Sequence, residues 1–177
     1  MDNKLEFIED LVIMLVGSKD SPVPSEFHLQ KELFIVSNSM PRLKGLLVFE
    51  KNYRGPYCQE VDEIYKNPLN YDEIYEIKNR KISLNERGKK VYQDVLEKHK
   101  DVKKINLLLN SFKLVRDIYD KFSEDELLYF IYRSYPEYIE NSNAYRKLDN
   151  NKRKLVEGML NKKLISKERH DELLENE

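Results

Sequence analysis

Apolar residues recur at helical spacing through most of the chain, starting with its first segment. Between Lys4 and Val16 they fall every three or four positions and share one face, while acidic residues occupy the others. A proline-containing connector follows over residues 21–24, and Ser25 is suited to cap a second helix. The pattern predicts two successive helices, the second ending before Pro41.

A β-like apolar run over residues 46–49 leads into residues 53–57, Tyr-Arg-Gly-Pro-Tyr. We expect Gly55 to supply the backbone freedom for a turn. We expect Pro56 to lie in the first turn of a third helix, where its missing N–H costs nothing. This helix is predicted to end at Lys66, because the Asn-Pro that follows disfavours the helical conformation.

Two segments of alternating polarity come next. Residues 74–77 and 81–84 flank a polar turn at residues 78–80, which predicts a β-hairpin. Asn85 follows immediately and is a suitable N-cap for the next helix.

The second half of the chain is predicted to be helical. The most regular apolar stripe runs over residues 105–122 with i, i+3, i+4, i+7 spacing. Ser123 and Glu126 form a capping-box pattern that opens a helix ending at Pro136. Beyond residue 140, two amphipathic helices are predicted to form a hairpin.

These elements predict a mainly α fold with a small β-hairpin, in which a winged-helix-like core is followed by a C-terminal helical hairpin. The predicted boundaries are residues 1–140 for the winged-helix-like domain and residues 141–177 for the extension. The helix that starts near residue 56 then takes the place of a recognition helix, and the β-hairpin that of the wing.

The composition favours a folded, heavily solvated protein. Of the 177 residues, 36% are charged and 11% are aromatic, which is enough aromatic side chains to anchor a core. The longest uninterrupted apolar run, residues 11–16, is too short to span a bilayer, and the acidic N-terminus lacks the basic region of a signal peptide. We therefore expect a soluble cytoplasmic protein without a membrane partner.

The net charge of −1 hides a local asymmetry. Residues 1–77 carry 8 basic and 14 acidic side chains, whereas residues 78–104 carry 10 basic and 4 acidic ones. The basic excess therefore coincides with the predicted wing and the helix after it.

No catalytic pattern is recognisable. The three histidines lie in different predicted helices without a partner at metal-ligand spacing, and there is no glycine-rich phosphate loop. Cys58 is the single cysteine, so neither an internal disulfide nor a Cys-based zinc site can form. A small residue in place of a capping Ser explains Cys58 better than a thiol activated by a helix dipole. We predict no catalytic residue, metal or cofactor; an enzyme with Cys58 as its nucleophile is the third function left open.

A winged helix that binds DNA usually presents basic or amide side chains on its recognition helix. Here that helix carries Glu60, Asp62 and Glu63, which would repel phosphates. The DNA-binding alternative therefore depends on basic residues before the helix and in the wing. These nucleic-acid-binding candidates are Arg54, Lys78, Arg80 and Lys81.

Tyrosines crowd the region of the predicted third helix and recur over residues 129–138. Tyrosine is enriched at the energetic centres of protein interfaces, which favours a protein-binding surface. The predicted partner-binding residues are Tyr53, Tyr57, Glu60, Glu63, Tyr132 and Tyr135.

Three phrases of the sequence recur in the same order in a known group of proteins. They are Leu29-Gln30-Lys31-Glu32-Leu33-Phe34, Tyr53-Arg54-Gly55-Pro56-Tyr57 and Leu84-Asn85-Glu86-Arg87-Gly88. The ordered set resembles the Panacea domain of SocA-type antitoxins and the related YwgA-like uncharacterised proteins of bacteria and archaea, over about residues 25–135. The chain departs from that pattern at Cys58, where the family has Ser, at Asn85, where it has Thr, and beyond residue 140.

The resemblance implies a mostly helical, winged-helix-like fold that acts by binding. It implies a role in neutralising a toxin, often encoded beside it, or in serving as an adaptor. We therefore predict a non-enzymatic protein of antitoxin or adaptor type that recognises a protein partner, with a winged-helix DNA-binding transcriptional regulator as the alternative. A homodimer stays open, as does whether the C-terminal hairpin packs within the chain or between chains.

Overall fold

In the computed structural model, which describes residues 2–175, the chain is mainly helical and carries two small antiparallel hairpins. Its elements, in chain order, are α1 (Asp2–Gly17), α2 (Glu26–Ser39), α3 (Pro41–Lys44), β1 (Glu50–Asn52), β2 (Gly55–Tyr57), α4 (Gln59–Lys66), β3 (Tyr75–Lys78), β4 (Lys81–Leu84), α5 (Glu86–His99), α6 (Ile105–Tyr119), α7 (Glu124–Ser134), a 3₁₀ turn (Pro136–Tyr138), α8 (Tyr145–Asn150), α9 (Lys152–Asn161) and α10 (Lys167–Glu175).

The described residues fall into two compact units. Unit 1 comprises residues 2–49 and 58–120, and unit 2 comprises residues 50–57 and 121–175. The boundary predicted at residue 140 therefore lies inside unit 2, because α7 packs against α8 and α9.

Helix α1 is the centre of unit 1 and packs against α2, α4, α5 and α6. Its residues from Ile8 to Val16 are all buried, so the second half of the helix has no solvent face. The predicted N-cap of α2 is confirmed: the Ser25 side chain accepts a hydrogen bond from the backbone N–H of His28.

The predicted helix start at Pro56 is wrong. Gly55 has a φ of 80° and turns the chain back, so that β2 pairs with β1 and Pro56 lies opposite Lys51. Proline is tolerated in such a short edge strand, because its ring fixes φ and the strand does not need its missing N–H for a hydrogen bond to the neighbouring strand. Helix α4 begins only at Gln59.

The β-like run predicted at residues 46–49 is likewise wrong, since the strand starts at Glu50.

The predicted hairpin at residues 74–84 is confirmed as β3 and β4. Asn79 and Arg80 both have positive φ, which is the two-residue turn whose twist matches that of the flanking strands. Val23 in the connector after α1 pairs with Ile82 through two backbone hydrogen bonds of 2.8 and 2.9 Å. The hairpin and the connector are therefore held together by backbone pairing.

The start of α5 is fixed by Asn85 and Gly88. The Asn85 side chain accepts a hydrogen bond from the Gly88 N–H at 2.9 Å and donates one to the Glu73 carbonyl at 2.7 Å. A Cβ atom at Gly88 would lie 2.3 Å from the Ile74 carbonyl oxygen, so a side chain has no room there. The predicted cap at Asn85 is thus confirmed.

In unit 2, the predicted capping box is confirmed at Ser123 and Glu126. The Glu126 carboxylate also accepts a hydrogen bond of 2.6 Å from Lys162, which follows α9. The β1–β2 hairpin packs against α7, with Arg54 donating to Glu124 at 2.9 Å. Helices α9 and α10 pack on each other, as the predicted C-terminal pair requires, whereas α8 was not predicted.

None of the helices among residues 2–175 combines the length and the apolarity needed to cross a bilayer.

The contact at Gly88 makes a stability prediction. We expect Gly88→Ala to lower the free energy of unfolding by about 1–3 kcal/mol, because the new methyl group meets a backbone carbonyl that cannot move independently. The loss is read from the urea midpoint of unfolding. Gly45→Ala is the control, since Gly45 has a helical backbone and no atom within 4 Å of the added Cβ. Equal losses in both variants would contradict the steric explanation.

Candidate functional site

The residues that carry the family resemblance largely build the fold. The Gln30 side chain donates to the Cys58 carbonyl at 3.0 Å and accepts from the Cys58 N–H at 3.0 Å. This buried pair of bonds holds the start of α4 against α2. Asn85 and Gly88 are likewise explained by the start of α5. The structural roles of these residues therefore explain their presence without a ligand.

Cys58 has the properties of a structural residue. It occupies the N-cap position of α4, but its side chain makes no capping hydrogen bond, so the predicted replacement of a capping Ser is not what places it there. Burial is the main cause that raises the pKa of its thiol to about 12; the neighbouring Glu60 carboxylate acts in the same direction, and the Val61 backbone acts against both. A thiol that stays protonated at neutral pH is a poor nucleophile.

Each described histidine has its own separate partner. His28 Nδ1 lies 3.0 Å from Ser25 Oγ, His99 Nε2 lies 2.7 Å from Asp10 Oδ2, and His170 Nδ1 lies 2.8 Å from Asp171 Oδ1. Within residues 2–175, no three His, Cys, Asp or Glu side chains are grouped so that they could hold a metal ion.

The predicted partner-binding tyrosines lie in unit 2 and differ in exposure. Tyr53, at the turn between β1 and β2, is 60% exposed, whereas Tyr57 and Tyr135 are half-buried. Tyr132 is fully buried and its hydroxyl donates to Ser142 at 2.5 Å. This placement corrects the prediction for Tyr132, because α7 turns that ring into the core of unit 2.

The predicted acidic contacts lie in unit 1, on α4. Glu60 accepts a hydrogen bond from Lys4 at 3.0 Å, and Glu63 accepts one from Gln59 at 2.6 Å. These carboxylates belong to unit 1 and the tyrosines to unit 2. Neither unit by itself therefore contains the whole set of predicted partner-binding residues.

The candidate nucleic-acid-binding residues are also divided. Lys78, Arg80 and Lys81 are exposed together at the tip of the β3–β4 hairpin, where Lys78 pairs with Glu76 at 2.7 Å. Arg54 belongs to unit 2 and is paired with Glu124.

The sequence predictions missed an apolar surface on the outer face of α6. We call Leu107, Leu114 and Ile118 the α6 stripe; their side chains are 53%, 59% and 37% exposed. The opposite face of the same helix carries the buried residues Leu108 and Phe112. The stripe follows i, i+7, i+11 spacing, so a second apolar face could have been read from the sequence beside the predicted core face.

A groove opens at the N-terminal end of this stripe. We call it the α3–α6 groove, a cavity of about 510 Å³ with mostly apolar walls. Its lining residues are Phe7, Ser39, Met40, Pro41, Arg42, Leu43, Val102, Lys103, Lys104, Ile105, Leu107 and Leu108. The groove and the stripe share Leu107 and together form the candidate site.

The rotation of α6, and hence which side chains face solvent, is set by a buried arginine. Arg116 is fully buried and donates to the Val16 carbonyl at 3.0 Å, the Ser21 carbonyl at 2.6 Å and the Asp120 carboxylate at 2.9 Å. Two of these acceptors lie at the end of α1 and in the connector after it. Arg116 therefore ties α6 to α1 with its outer face turned away from the core.

Glu32 lies in the same buried cluster. Burial raises the pKa of its carboxyl well above the usual value; the negative charge of Asp120 raises it further, and Arg116 opposes both. Neither Glu32 oxygen accepts a hydrogen bond from a donor among the described residues. A protonated Glu32, which can itself donate to Asp120, reconciles this geometry with the raised pKa.

A comparison with protein-family models gave no match, and a comparison with curated proteins gave none either.

The protonated carboxyl makes a pH prediction. A raised pKa in the folded state means that Glu32 favours folding below the carboxyl's ordinary pKa of 4.5, and that this contribution is lost as the pH rises through the folded value. Glu32→Gln keeps a donor for Asp120 but does not titrate. We expect the variant to raise the thermal unfolding midpoint more at pH 7 than at pH 4.5, measured by circular dichroism.

Glu97→Gln is the control, because Glu97 is exposed on α5. A shift for Glu32→Gln that is the same at both pH values, or largest at pH 4.5, would contradict a protonated Glu32.

Proposed function

We propose that this chain is a non-enzymatic binding protein of antitoxin or adaptor type that recognises a protein partner. The observation that carries the proposal is the α6 stripe. Single exposed aliphatic side chains are ordinary, but three aligned on one helix face mark an interaction surface more strongly. In a chain with 36% charged residues, an apolar face of this kind requires a reason.

The geometry of the stripe indicates what would cover it. Leu107 and Ile118 are eleven residues apart on one helix, which is about 16 Å at the rise of an α-helix. A partner helix with apolar residues at i, i+3 or i+4, and i+7 matches that length and spacing. Lys113 is exposed on the same helix, and an acidic residue of the partner would pair with it at the edge of the contact.

The resemblance to Panacea-type antitoxins supports the same function, since that family acts by binding proteins. The raised pKa of the buried Cys58 thiol supports it too, because it weighs against the nucleophile of the enzyme alternative. Exposed Tyr53, in unit 2, and the acidic residues of α4, in unit 1, stay separate predicted contacts.

DNA binding is the second candidate function. One observation favours it: the pairing of Val23 with Ile82 joins the connector between α1 and α2 to the β3–β4 hairpin. A winged helix has such a three-stranded arrangement, with α4 in the place of the recognition helix. The acidic side chains of α4 oppose phosphate binding, which is why we place this function second.

The protein-binding function makes a prediction for Leu114. We expect Leu114→Glu to weaken partner binding about tenfold or more, because a carboxylate would be buried against an apolar partner face. The wild-type chain first identifies its stoichiometric partner by pull-down from the native host. The affinity of the purified partner is then measured for each variant by calorimetry.

Gln93→Glu is the control, because Gln93 is exposed on α5, outside the α6 stripe, and the substitution adds the same charge. Retention of the partner by Gln93→Glu and its loss by Leu114→Glu are expected. Equal binding by both variants, or no stoichiometric partner in repeated pull-downs, would overturn the proposal.

The DNA-binding candidate predicts a salt-dependent interaction with a random duplex. Retention at about 50 mM salt should fall steeply by about 200 mM, since phosphate contacts release counterions. Arg80→Glu should weaken this retention, whereas Lys113→Glu, the same charge change on α6, should not. A gel-shift titration measures both effects. No retention by the wild-type chain at the lower salt concentration would remove this function.

A further inference from the structure

The α3–α6 groove has the size and walls of a small-molecule site. Its volume of about 510 Å³ lies within the range of roughly 300–1,000 Å³ that ligand pockets occupy. Leu43, Ile105 and Leu108 form its buried apolar walls, and Phe7 and Met40 are half-buried beside them. An aliphatic or aromatic group would therefore replace water along most of the groove.

The polar lining of the groove has one sign of charge. Arg42, Lys103 and Lys104 line it, and none of them forms an ion pair with another residue in the part of the chain that the structure describes. No Asp or Glu is among the lining residues of this groove. Exposed lysines elsewhere in unit 1, such as Lys66, Lys89 and Lys98, are paired with carboxylates.

The backbone at the mouth of the groove adds to this positive character. Lys104 precedes α6 with a φ of 73°, and its side chain makes no capping hydrogen bond. The N-terminal end of the 15-residue helix α6, with its partial positive charge, therefore meets the groove beside two lysines. Residues other than glycine seldom adopt this left-handed conformation, so the surroundings of Lys104 hold its backbone in place.

We propose that the α3–α6 groove binds a small anionic amphiphile, a carboxylate carrying an unbranched aliphatic body. The apolar walls would take the body, and Arg42, Lys103 and Lys104 would take the carboxylate at the rim. Guanidinium and ammonium groups are the donors that proteins use for carboxylates. A cationic amphiphile would meet three like charges, and a neutral one would leave those cations unused.

This activity goes beyond the proposed protein binding and does not require it. The groove and the α6 stripe share only Leu107, so a ligand in the groove and a partner on Leu114 and Ile118 engage mostly different side chains. Loss of either activity can therefore be measured by itself.

The test is a titration of the full chain with decanoate below its micelle concentration, followed by calorimetry and by backbone amide shifts. We expect saturable 1:1 binding, with shifts concentrated at residues 39–43 and 102–108. 1-Decanol should bind at least threefold more weakly, and decyltrimethylammonium should not bind at the groove. Shifts that map elsewhere, or equal affinity for the three probes, would overturn the proposal.

Two variants locate the ligand within the groove. The double variant Lys103→Gln with Lys104→Gln should weaken decanoate binding about three- to tenfold, as expected for two solvent-exposed ion pairs. Val102→Trp should block the groove without touching the core, because Val102 is 44% exposed at its wall.

Lys113→Gln is the control, since it removes one positive charge from α6 outside the groove. Decanoate binding that is unchanged in both groove variants, or reduced as strongly by Lys113→Gln, would show that the groove is not the site.

Discussion

Unit 1 depends on the requirement that a buried guanidinium be fully paired. Arg116 is surrounded by protein and can be accommodated only where carbonyl and carboxylate oxygens face it. The end of α1 and the connector after it supply those oxygens, so α6 can lie in one rotational setting only. That setting buries Phe112 and leaves the α6 stripe outside. The hydrogen bonds of the buried Arg116 guanidinium thus determine which face of α6 is exposed for the proposed partner.

The residues that carry the resemblance differ from those that form the α6 stripe and the α3–α6 groove. The glutamine, asparagine and glycine of the recurring phrases hold helix starts in place, and the buried Cys58 is bonded through its backbone to that glutamine. The α6 stripe and the α3–α6 groove consist mainly of apolar and basic residues, and none of their residues belongs to a phrase. A shared phrase therefore indicates a shared fold. The residues of a binding surface can differ between proteins of that fold while the residues of the phrases stay the same.

The sequence is sufficient to predict a helix start when that start depends on a hydrogen bond between a side chain and a backbone group a few residues away. The caps at Ser25, Asn85 and Ser123 are confirmed for this reason. Pro56 was misassigned because its preference for a helix start is weaker than the pairing of β2 with β1, which Gly55 imposes. The burial of Tyr132 depends on distant packing in unit 2, and the α6 stripe was overlooked because one apolar face already explained that helix. The groove could not be predicted, since its walls come from segments about sixty residues apart.

Unit 2 is discontinuous along the chain, and this affects the order in which the protein can fold during synthesis. The β1–β2 hairpin has strands of three residues each, too short to be stable without a packing surface. Its partner helix follows much later: Arg54 and Glu124 are 70 residues apart. While the ribosome adds those residues, the hairpin lacks the α7 surface on which it packs, whereas the first helices of unit 1 can already pack on each other. The contacts that α7 makes with the hairpin can therefore form only after most of the chain has been synthesised.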